Sequence, residues 1–535
     1  MGSLTKDTPH YPDASDASLV LTHPTPIEKD QTWRLNHSEW GGPLDMAAYI
    51  QREIFLATTP FAAGGGMTHW ILTERSYSST DHESEANWKQ QRHVLASCET
   101  LRKRVLYALP IGDGTTRDGI AYGIGSVYTY PEFRGRRYAA RMLKELGTRL
   151  RNWPSDEVLS AEREERDQKQ YQFAPVMREA VCSALWSDIG KQFYGSKGWP
   201  AFASTHIEFR CSNNTASATA TANVSDAIAT VSLSDASATD DSDATILASE
   251  TPESHKTEKE RPPYKLYPVT SHNLAQLCRE DEQQLRRAVS LRARATGRVA
   301  MAFAPEEDVF RWHWAREDFI APRLGRNFDF RENDRRTDVR GVVVSVPAIP
   351  TTTVHGGSSS SSSSRRDSSP DERKPGTRMW AIWTRVYASS SDVSKNILHI
   401  LRLAFTDTAP DPDTDTDPDV DDVEEMEETE SGYCYSQGQG QCHSRAFAAI
   451  IRTALGYARR DHCGSVQLWN PSAEVRALAA ASGLQHSFIE REDESIPSMM
   501  WYGPPTGMYD KPRRGKGAEG EDAVEWLANE KYCWC

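Results

Sequence analysis

The sequence has no long hydrophobic run. None of its 535 residues belongs to a stretch that approaches the roughly 20 apolar residues a membrane-spanning helix requires. The N-terminal residues 1–18 lack the apolar core of a secretory signal peptide. We therefore predict a cytoplasmic protein without a membrane partner.

Cysteine is sparse and shows no pairing pattern. The nine cysteines are scattered, their number is odd, and no Cys-x-x-Cys pair occurs. The closest groupings, Cys442-His443 and Cys533-Trp534-Cys535, do not have the spacing of a metal site. This pattern predicts reduced thiols in an intracellular protein, and it predicts no bound metal.

Basic residues are fewer than acidic residues, so the formal net charge is −14. An acidic balance argues against a nucleic-acid or anionic-membrane surface. However, the stretch from Asp407 to Glu430 holds thirteen acidic residues and no lysine or arginine, so the rest of the chain is close to neutral. The acidity belongs to one tract and says little about an active site. The sequence gives no indication of oligomeric state.

Three polar low-complexity tracts interrupt the patterned sequence. They are a Ser/Thr/Ala/Asp-rich stretch, a stretch with seven consecutive serines and the acidic stretch, at residues 211–261, 351–376 and 408–432. Such segments cannot bury enough apolar area to offset the entropy of ordering them. We predict a loose arm at 1–26, a domain at 27–210, a disordered linker, and a second domain at 262–535 that carries the other two tracts as insertions.

The most informative stretch runs from Gly123 to Leu150. It begins as an alternating strand that Pro131 ends, because proline cannot donate to a strand ladder. A short basic turn follows, and then a helix with one apolar stripe. A strand that leads through such a turn into a helix points unpaired N–H groups at the helix N-terminus. This arrangement predicts an anion site suited to a diphosphate.

At these residues the sequence resembles the GCN5-related N-acetyltransferase (GNAT) superfamily. The acetyl-CoA signature of that superfamily is Arg/Gln-x-x-Gly-x-Gly/Ala, and here Arg134 fills its first position and Ala139 its last. Arg137 stands where the family usually has glycine, so it either weakens the cradle or adds a cation to it. The resemblance implies that acetyl-CoA is the co-substrate, bound by Val127, Tyr128, Arg134, Gly135, Arg136, Arg137, Tyr138, Ala139 and Asp188.

A second stretch, residues 182–199, resembles the GNAT segment that follows the diphosphate helix. Ser183 to Ser187 are predicted as a strand, and Asp188 as a helix N-cap. The family commonly ends this segment in Phe-Tyr-x-x-x-Gly-aromatic, and its tyrosine lies near the CoA sulfur. The resemblance implies that Tyr194 protonates the departing thiolate. The alternative is that Tyr194 only closes the core.

The residues before the signature predict the acceptor side. A helix is predicted within residues 43–60, followed by strands at 68–73 and 94–100 and a polar loop at 102–118. In GNAT folds the early helices lie over the acceptor groove, so the resemblance implies that this helix contacts the substrate; ordinary packing is the alternative. Glu99 lies near the end of the second strand. A lysine amine has a reference pKa of roughly 10.4, so a base must take its proton before it can attack. GNAT enzymes often use a glutamate from the central strands, which makes Glu99 the candidate base. A solvated strand-end carboxylate is the alternative.

The second half repeats the order of a GNAT domain. Strands at 379–388 and 397–407, a helix at 444–463, a strand at 466–471, a further helix and a last strand at 495–503 are predicted. No Arg-x-x-Gly-x-Ala turn precedes the long helix, so this half is expected to copy the fold without that CoA signature. The fold class is α/β, with a mixed twisted sheet flanked by helices in each half.

A narrower resemblance joins the two halves. The segments WRLNHSEWGGPL, VLASCET, SALWSDIGKQFYGSKGWP and NEKYCWC resemble the fungal lysine N6-acetyltransferases of lysine catabolism. That resemblance implies acetyl transfer to the side-chain amine of free L-lysine, a small-molecule partner. Two alternatives remain open: a protein N-acyltransferase that recruits basic partners through the acidic tract, and a non-catalytic CoA-binding or scaffold protein. The tail from Trp526 to Cys535 is a candidate wall of the acceptor groove.

Overall fold

The fold is taken from a computed structural model of the chain. It describes residues 11–75, 92–110, 114–153, 179–211, 264–325, 339–346, 377–406, 437–504 and 524–534. Except for residue 211, the predicted linker lies outside these ranges. The two predicted insertions, 351–376 and 408–432, also lie outside them.

Two mixed sheets form the framework, with strands numbered in chain order. The first sheet follows the path β1 (Leu19–Thr22), β2 (Met67–Glu74), β3 (Ala96–Ala108), β4 (Arg117–Thr129), β5 (Ala180–Ser187) and β14 (Ile496–Trp501), while β8 (Val299–Phe303) pairs with β3 and β15 (Val524–Trp526) pairs with β8. The pairs β4–β5 and β8–β15 are parallel, and the other pairs are antiparallel.

The second sheet has seven strands. Their order is β13 (Ser487–Glu490), β6 (Thr205–Arg210), β12 (Ser465–Trp469), β11 (Ile397–Thr406), β10 (Thr377–Val386), β9 (Gly341–Val346) and β7 (Lys265–Val269). Within this sheet β11 and β12 are parallel, and every other neighbouring pair is antiparallel.

Helices cover both sheets. They are α1 (Pro26–Trp40), α2 (Met46–Ala57), α3 (Tyr138–Leu150), α4 (Gln192–Gly195), α5 (Leu274–Thr296), α6 (Glu307–Ile320), α7 (Gln437–Arg460) and α8 (Ala473–Ala481). The apolar stripe of α3 packs into the core of the first sheet, and that of α7 packs into the core of the second. The predicted fold class is confirmed. Within the described ranges, no helix combines the length and apolarity needed to span a membrane.

The two halves exchange strands. β6 precedes the linker in sequence, yet it lies in the second sheet between β12 and β13. β14 comes near the end of the chain, yet it lies in the first sheet beside β5. β8 also belongs to the second half in sequence and extends the first sheet through β3. The predicted boundary between 210 and 262 therefore divides the sequence, but it does not divide the sheets.

The region predicted as a loose arm is structured from residue 11 onward. Leu19 and Leu21 are buried on β1, which pairs with β2. Thr25 then caps α1 in a capping box with Glu28. The prediction of a loose arm is wrong for residues 11–26. A strand of four residues is too short to leave a clear periodic pattern.

The loop predicted at 102–118 is also wrong over most of its length, because β3 continues to Ala108 and β4 begins at Arg117. Val105 and Tyr107 are buried, while Arg104, which precedes Val105 on the strand, is partly exposed. The Arg104 Nη2 atom lies 2.9 Å from Asp118 and 2.7 Å from Glu282. A basic segment reads as a loop in the sequence because its distant acidic partners are not visible there.

The remaining predicted elements are confirmed where the structure describes them. The helices predicted within 43–60 and after Arg137 are α2 and α3, and those predicted in the second half are α7 and α8. The predicted strands correspond to β2, β3, β4, β5, β10, β11, β12 and β14. β10 and β11 are adjacent, as their sequences predict.

A buried ion cluster fixes α6 to the second sheet. Glu317 on α6 is fully buried, and its carboxylate lies 2.7 Å from both Arg340 and Arg385. The same carboxylate accepts hydrogen bonds at 2.8 Å from the Arg385 N–H and the Thr384 hydroxyl. Burial raises the pKa of Glu317, but the two arginines and these hydrogen bonds lower it further, so the pKa lies below its ordinary value.

We predict that Glu317→Gln lowers the free energy of unfolding by about 1.5–3 kcal/mol, the usual contribution of hydrogen bonds to a charged group. The substitution removes the anion that two buried arginines share, although Arg340 keeps its pair with Asp318 and Arg385 its pair with Asp461. Urea denaturation of the full chain measures the loss. Glu492→Gln is the matched control, since its pair with Lys191 is exposed and should be worth about 1 kcal/mol or less. Equal, small effects of the two substitutions would contradict the prediction.

Candidate active site

The two central strands of the first sheet separate part-way along their length. β4 and β5 are paired in parallel up to Ile124, opposite Leu185. β4 then continues through Gly125 to Thr129 with no partner on that side among the described strands. This separation opens a wedge in the middle of the sheet. One wall of the wedge is the unpaired backbone edge of β4, which can hydrogen-bond a ligand.

A β-bulge shapes the same part of β4. Tyr128 pairs with Ser97 and Gly125 pairs with Glu99, so Ser126 and Val127 together face one residue of β3. Ser126 has a φ of 52°, an unusual conformation for a residue with a side chain. Bulges of this kind redirect side chains near active sites. Here the Ser126 hydroxyl donates to Glu99 Oε2 at 3.1 Å.

The basic turn between β4 and α3 is exposed. Residues 134–137 face solvent, while Phe133 and Tyr138 are buried and anchor the turn on either side. The backbone amides of residues 135–140 donate no hydrogen bond to any described residue. Free N–H groups before and within the first turn of a helix form a concave anion site. The turn therefore fits a diphosphate.

Two residues of this turn take the left-handed conformation. Gly135 has a φ of 80°, and Arg137 has φ 66° and ψ 19° at the N-cap of α3. This conformation costs a non-glycine residue roughly 1–2 kcal/mol, which explains why glycine suits position 137. The departure at Arg137 therefore leaves the backbone geometry in place and adds an exposed guanidinium to the turn.

The other two arginines of the turn have local contacts. Arg134 Nε donates to the Thr129 carbonyl at 3.0 Å, and its guanidinium lies 5.3 Å from the centre of the Tyr128 ring. Arg136 lies 5.2 Å from the centre of the Tyr11 ring. Both side chains remain exposed. They surround the free amides with positive charge.

Tyr194 lies on α4, just beyond the end of β5. Tyr194 is 8% exposed, and its hydroxyl makes no hydrogen bond within the described part of the chain. Burial raises the pKa of Tyr194, and the nearby Cys98 and Asp188 side chains raise it further. Cys98 is the β3 residue that faces the bulge in β4. The phenol therefore stays protonated at neutral pH beside the wedge.

Asp188 does not cap a helix as predicted. α4 begins at Gln192, after a turn in which Gly190 has a φ of 75°. The Asp188 carboxylate instead accepts a hydrogen bond from the Ser495 N–H at 2.9 Å. The N-cap prediction is wrong because this turn delays the helix. Asp188 holds the loop that leads into β14, and its role in cofactor binding stays a prediction.

Glu99 lies on β3, beside the bulge of β4 and within reach of side chains of α1 and α2. Its Oε1 atom lies 3.1 Å from His69 Nδ1, and both side chains are 13% exposed. Burial raises the pKa of Glu99, but the charge and hydrogen bond of His69 and the Ser126 hydroxyl outweigh burial and lower the pKa below its ordinary value. Glu99 is thus ionised and held in a fixed orientation, rather than being a solvated strand end.

Several polar residues around Glu99 were not identified from the sequence. His69 is directly opposite Glu99 in the β2–β3 register, which is visible only when the pairing is known. Tyr49 and Glu53 on α2 lie within electrostatic reach of Glu99. Their spacing of four residues along a helix was the available signal, since it places them on one face. Across the described segments, no cluster of three or more His, Cys, Asp or Glu side chains is arranged to hold a metal ion.

The second sheet has a matching wedge, but the tail of the chain enters it. β11 and β12 are parallel only up to Ile400, opposite Leu468. Beyond that point, the Leu403 N–H of β11 donates to Glu530 Oε2 at 2.8 Å, and Arg402 also binds the Glu530 carboxylate. A cavity of about 850 Å³ beside this contact is lined by β11, β12 and the tail. The strand edge that would receive a ligand here is already bonded to the protein.

The rest of the tail packs on residues of the second half. Lys531 Nζ lies 3.9 Å from the centre of a Trp469 ring and 3.4 Å from that of Trp534. The Trp534 ring centre is 5.9 Å from the Arg316 guanidinium of α6. α6 in turn packs on α2, where Phe55 stacks on Phe319. The predicted approach of the tail to the acceptor groove stays a prediction, and residue 535 lies outside the described ranges.

A family model described as the LYC1 GNAT-like C-terminal domain matches residues 249–535, more than half of the chain. A lysine acetyltransferase of Yarrowia lipolytica (strain CLIB 122 / E 150) is 27% identical over 179 residues. That match covers 33% of this chain and 38% of the length of the relative.

Solved structures are also similar, at low identity. A GCN5-related N-acetyltransferase from Kribbella flavida is 11% identical, with 90% of this chain and 71% of that chain covered and a TM-score of 0.34. A tandem GNAT protein from the clavulanic acid biosynthesis pathway is 8% identical, with 91% and 99% covered and a TM-score of 0.32. The family match, taken with the wedge-and-turn topology, shows that the chain belongs to the LYC1-like family of the GNAT superfamily.

Proposed function

We propose that the protein is an N-acetyltransferase of the cytoplasm that transfers acetyl from acetyl-CoA to the side-chain amine of free L-lysine, in lysine degradation. The observation that carries the proposal is the wedge between β4 and β5. It has free backbone amides at the 135–140 turn, a buried phenol at Tyr194 on one side and an ionised carboxylate at Glu99 on the other.

The co-substrate would lie along the wedge. Acetyl-CoA supplies an activated acetyl group as a thioester. The free amides of residues 135–140 suit its diphosphate, and the unpaired edge of β4 from Gly125 to Thr129 suits the amide groups of its arm. This placement puts the thioester near Val127, whose backbone lies in the bulge. Its N–H is the proposed donor to the negative charge that develops on the thioester oxygen.

Glu99 is the proposed base. The acceptor arrives mostly as an ammonium, which cannot attack a carbonyl, and Glu99 takes a proton from it directly or through one water molecule. His69 and Ser126 keep the Glu99 carboxylate ionised and aimed. A carboxylate held in place also orients the amine toward the thioester, and such positioning contributes several kcal/mol to catalysis.

Tyr194 is the proposed acid. As the nitrogen–carbon bond forms and the carbon–sulfur bond breaks, the electron pair of the latter stays on sulfur. The phenol then gives its proton to that sulfur, because burial keeps Tyr194 protonated and its hydroxyl has no competing partner among described residues. The first proton of the ammonium resides on Glu99 until it returns to water. The nitrogen loses its second proton as the tetrahedral intermediate collapses to the amide, and this proton replaces, through water, the one that Tyr194 gave to sulfur. The overall reaction therefore releases one proton.

A protein acceptor is the second candidate. The name of the Yarrowia relative, lysine acetyltransferase, fits free lysine and lysine within a polypeptide equally well. The acidic tract on which recruitment of basic proteins would depend lies outside the described residues. The choice between these acceptors therefore rests on an acceptor screen.

We predict that the full chain acetylates L-lysine, in a screen of free amino acids, polyamines and basic polypeptides with labelled acetyl-CoA. Glu99→Gln should lower kcat for L-lysine by about 10²–10⁴ and recover part of it at higher pH, where more amine is neutral. Glu74→Gln, at the end of β2, is the control and should leave kcat unchanged. Label found only on polypeptides would overturn the free-lysine proposal.

We predict that Tyr194→Phe lowers kcat by about 100-fold, the lower end of the range for proton transfer, because a thiolate is a weakly basic leaving group. The dissociation constant for CoA, measured by calorimetry, should stay nearly unchanged. Tyr457→Phe removes a buried hydroxyl from the other core and serves as the control. An unchanged turnover rate would remove Tyr194 from the mechanism.

We predict that Arg137→Gly raises the Kd for CoA by up to about fivefold, since it removes one exposed cation and keeps the left-handed backbone. The free energy of unfolding should not fall, because glycine adopts a positive φ without strain. Arg137→Lys should preserve the affinity. Tenfold tighter CoA binding by Arg137→Gly would show instead that the arginine obstructs the cradle.

A further inference from the structure

Arg316 lies on α6, which packs against α2. It makes no hydrogen bond and no ion pair with any described residue. Arg311 on the same helix is engaged, since it pairs with Glu307. The Glu53 carboxylate attracts Arg316, but it is already bonded to Arg52. A largely buried guanidinium without an anion of its own is costly, and such a group is expected to meet a ligand.

The surroundings of Arg316 belong to the acceptor side of the wedge. α6 packs against α2, where Phe319 stacks on Phe55 with ring centres 5.7 Å apart. Arg316 lies about one turn before Phe319 on α6, and the Arg52–Glu53 pair lies about one turn before Phe55 on α2. Burial lowers the pKa of Arg316 to about 10, and the like charge of Arg52 adds to that shift. An additional anion at this point would relieve the repulsion between the two arginines.

Two further groups link Arg316 to the candidate base. The Tyr49 residue is only 3% exposed, yet its hydroxyl makes no hydrogen bond to a described residue. Tyr49 and Glu53 lie within electrostatic reach of Glu99 on one side and of Arg316 on the other. The row from Glu99 through Tyr49 and Glu53 to Arg316 therefore presents a carboxylate, a phenol, a second carboxylate and a cation.

We propose that this row is the subsite for the amino-acid end of the acceptor, with Arg316 binding its α-carboxylate and Glu53 its α-ammonium. The inference rests on the proposed function, and it identifies the acceptor class as free ω-amino α-amino acids. A flexible four-carbon stem separates the two ends of lysine. The side-chain amine would then lie at Glu99 while the charged α-carbon end lies at Arg316. The second half completes the site of the first through α6.

The chemistry of the row also excludes other acceptors. A lysine within a polypeptide has neither a free α-carboxylate nor a free α-amine, so it would leave Arg316 and Glu53 unpaired. A site that pairs with a polar group of its substrate strongly rejects analogues that lack this group, because buried charges of the site are then left without partners. Arg316 is thus a residue that determines specificity for free lysine.

The test uses three acceptors with the full chain. L-lysine has both α-groups, cadaverine lacks the carboxylate, and 6-aminohexanoate lacks the α-amine. For Arg316→Met we expect KM for L-lysine to rise about 10- to 100-fold, while kcat/KM for cadaverine stays at the wild-type value. For Glu53→Gln we expect kcat/KM to fall for L-lysine and for cadaverine, because both retain an amine at that end. We expect little change in kcat/KM for 6-aminohexanoate.

Controls separate binding from folding. Arg311→Met changes a partly exposed arginine of the same helix, and kcat/KM for all three acceptors should stay at the wild-type value. Arg316→Lys should restore part of the L-lysine affinity because it keeps the charge. The subsite would be overturned if Arg316→Met lowered kcat/KM equally for L-lysine and cadaverine, or lowered it for neither. Thermal unfolding of each variant identifies a folding defect.

Calorimetric binding of L-lysine distinguishes failure of the subsite from failure of the proposed function. If the wild-type chain acetylates no acceptor but binds L-lysine, and Arg316→Met abolishes that binding, the subsite is supported and the proposed function is overturned. Acetylation of L-lysine with an unchanged KM in Arg316→Met would support the function and overturn the subsite. A wild-type chain that neither binds nor acetylates L-lysine would overturn both.

Discussion

Backbone groups that have no partner among the described residues define the candidate active site. A parallel pair normally satisfies the N–H and C=O groups on the facing edges of both strands, but β4 and β5 separate after Ile124 and leave one edge of β4 open. The bulge at Ser126 and the turn at residues 134–137 extend this set of open groups toward α3. Open groups of this kind can hydrogen-bond a ligand without breaking bonds within the protein, so a ligand with matching amides and a diphosphate suits them. The position of the site follows from this one departure from regular pairing.

The same construction occurs twice, and the two copies differ in what satisfies the open edge. In the first sheet, the edge remains available beside Tyr194 and the exposed basic turn. In the second sheet, Glu530 accepts from the Leu403 N–H and pairs with Arg402. A charged hydrogen bond to a strand amide is a strong contact in a buried setting. A duplicated architecture can thus retain a ligand site in one half and use the equivalent edge to anchor the chain in the other.

Strand exchange gives the second half a structural role in the first. β14 and β8 complete the first sheet, and β6 completes the second, so each core depends on residues from both halves. The buried cluster around Glu317 holds α6 in place, and α6 carries Arg316 toward α2. The rigid connection matters because charged groups select a ligand only when they are held at fixed separations. Stability of the second sheet and geometry of the acceptor side are therefore coupled through one helix.

The sequence by itself determined the local elements and located the basic turn that we propose binds the co-substrate, because strand alternation, Pro131 and the apolar stripe of α3 are short-range signals that need no partner. It also indicated Tyr194 and Glu99 through family resemblance. It did not reveal β1, the long β3–β4 hairpin, the exchanged strands or the groups around Glu99. Those features depend on contacts between residues far apart in the chain, such as Arg104 with Glu282 and His69 with Glu99. Only the tertiary structure decided them, since strand register and helix packing bring such residues together.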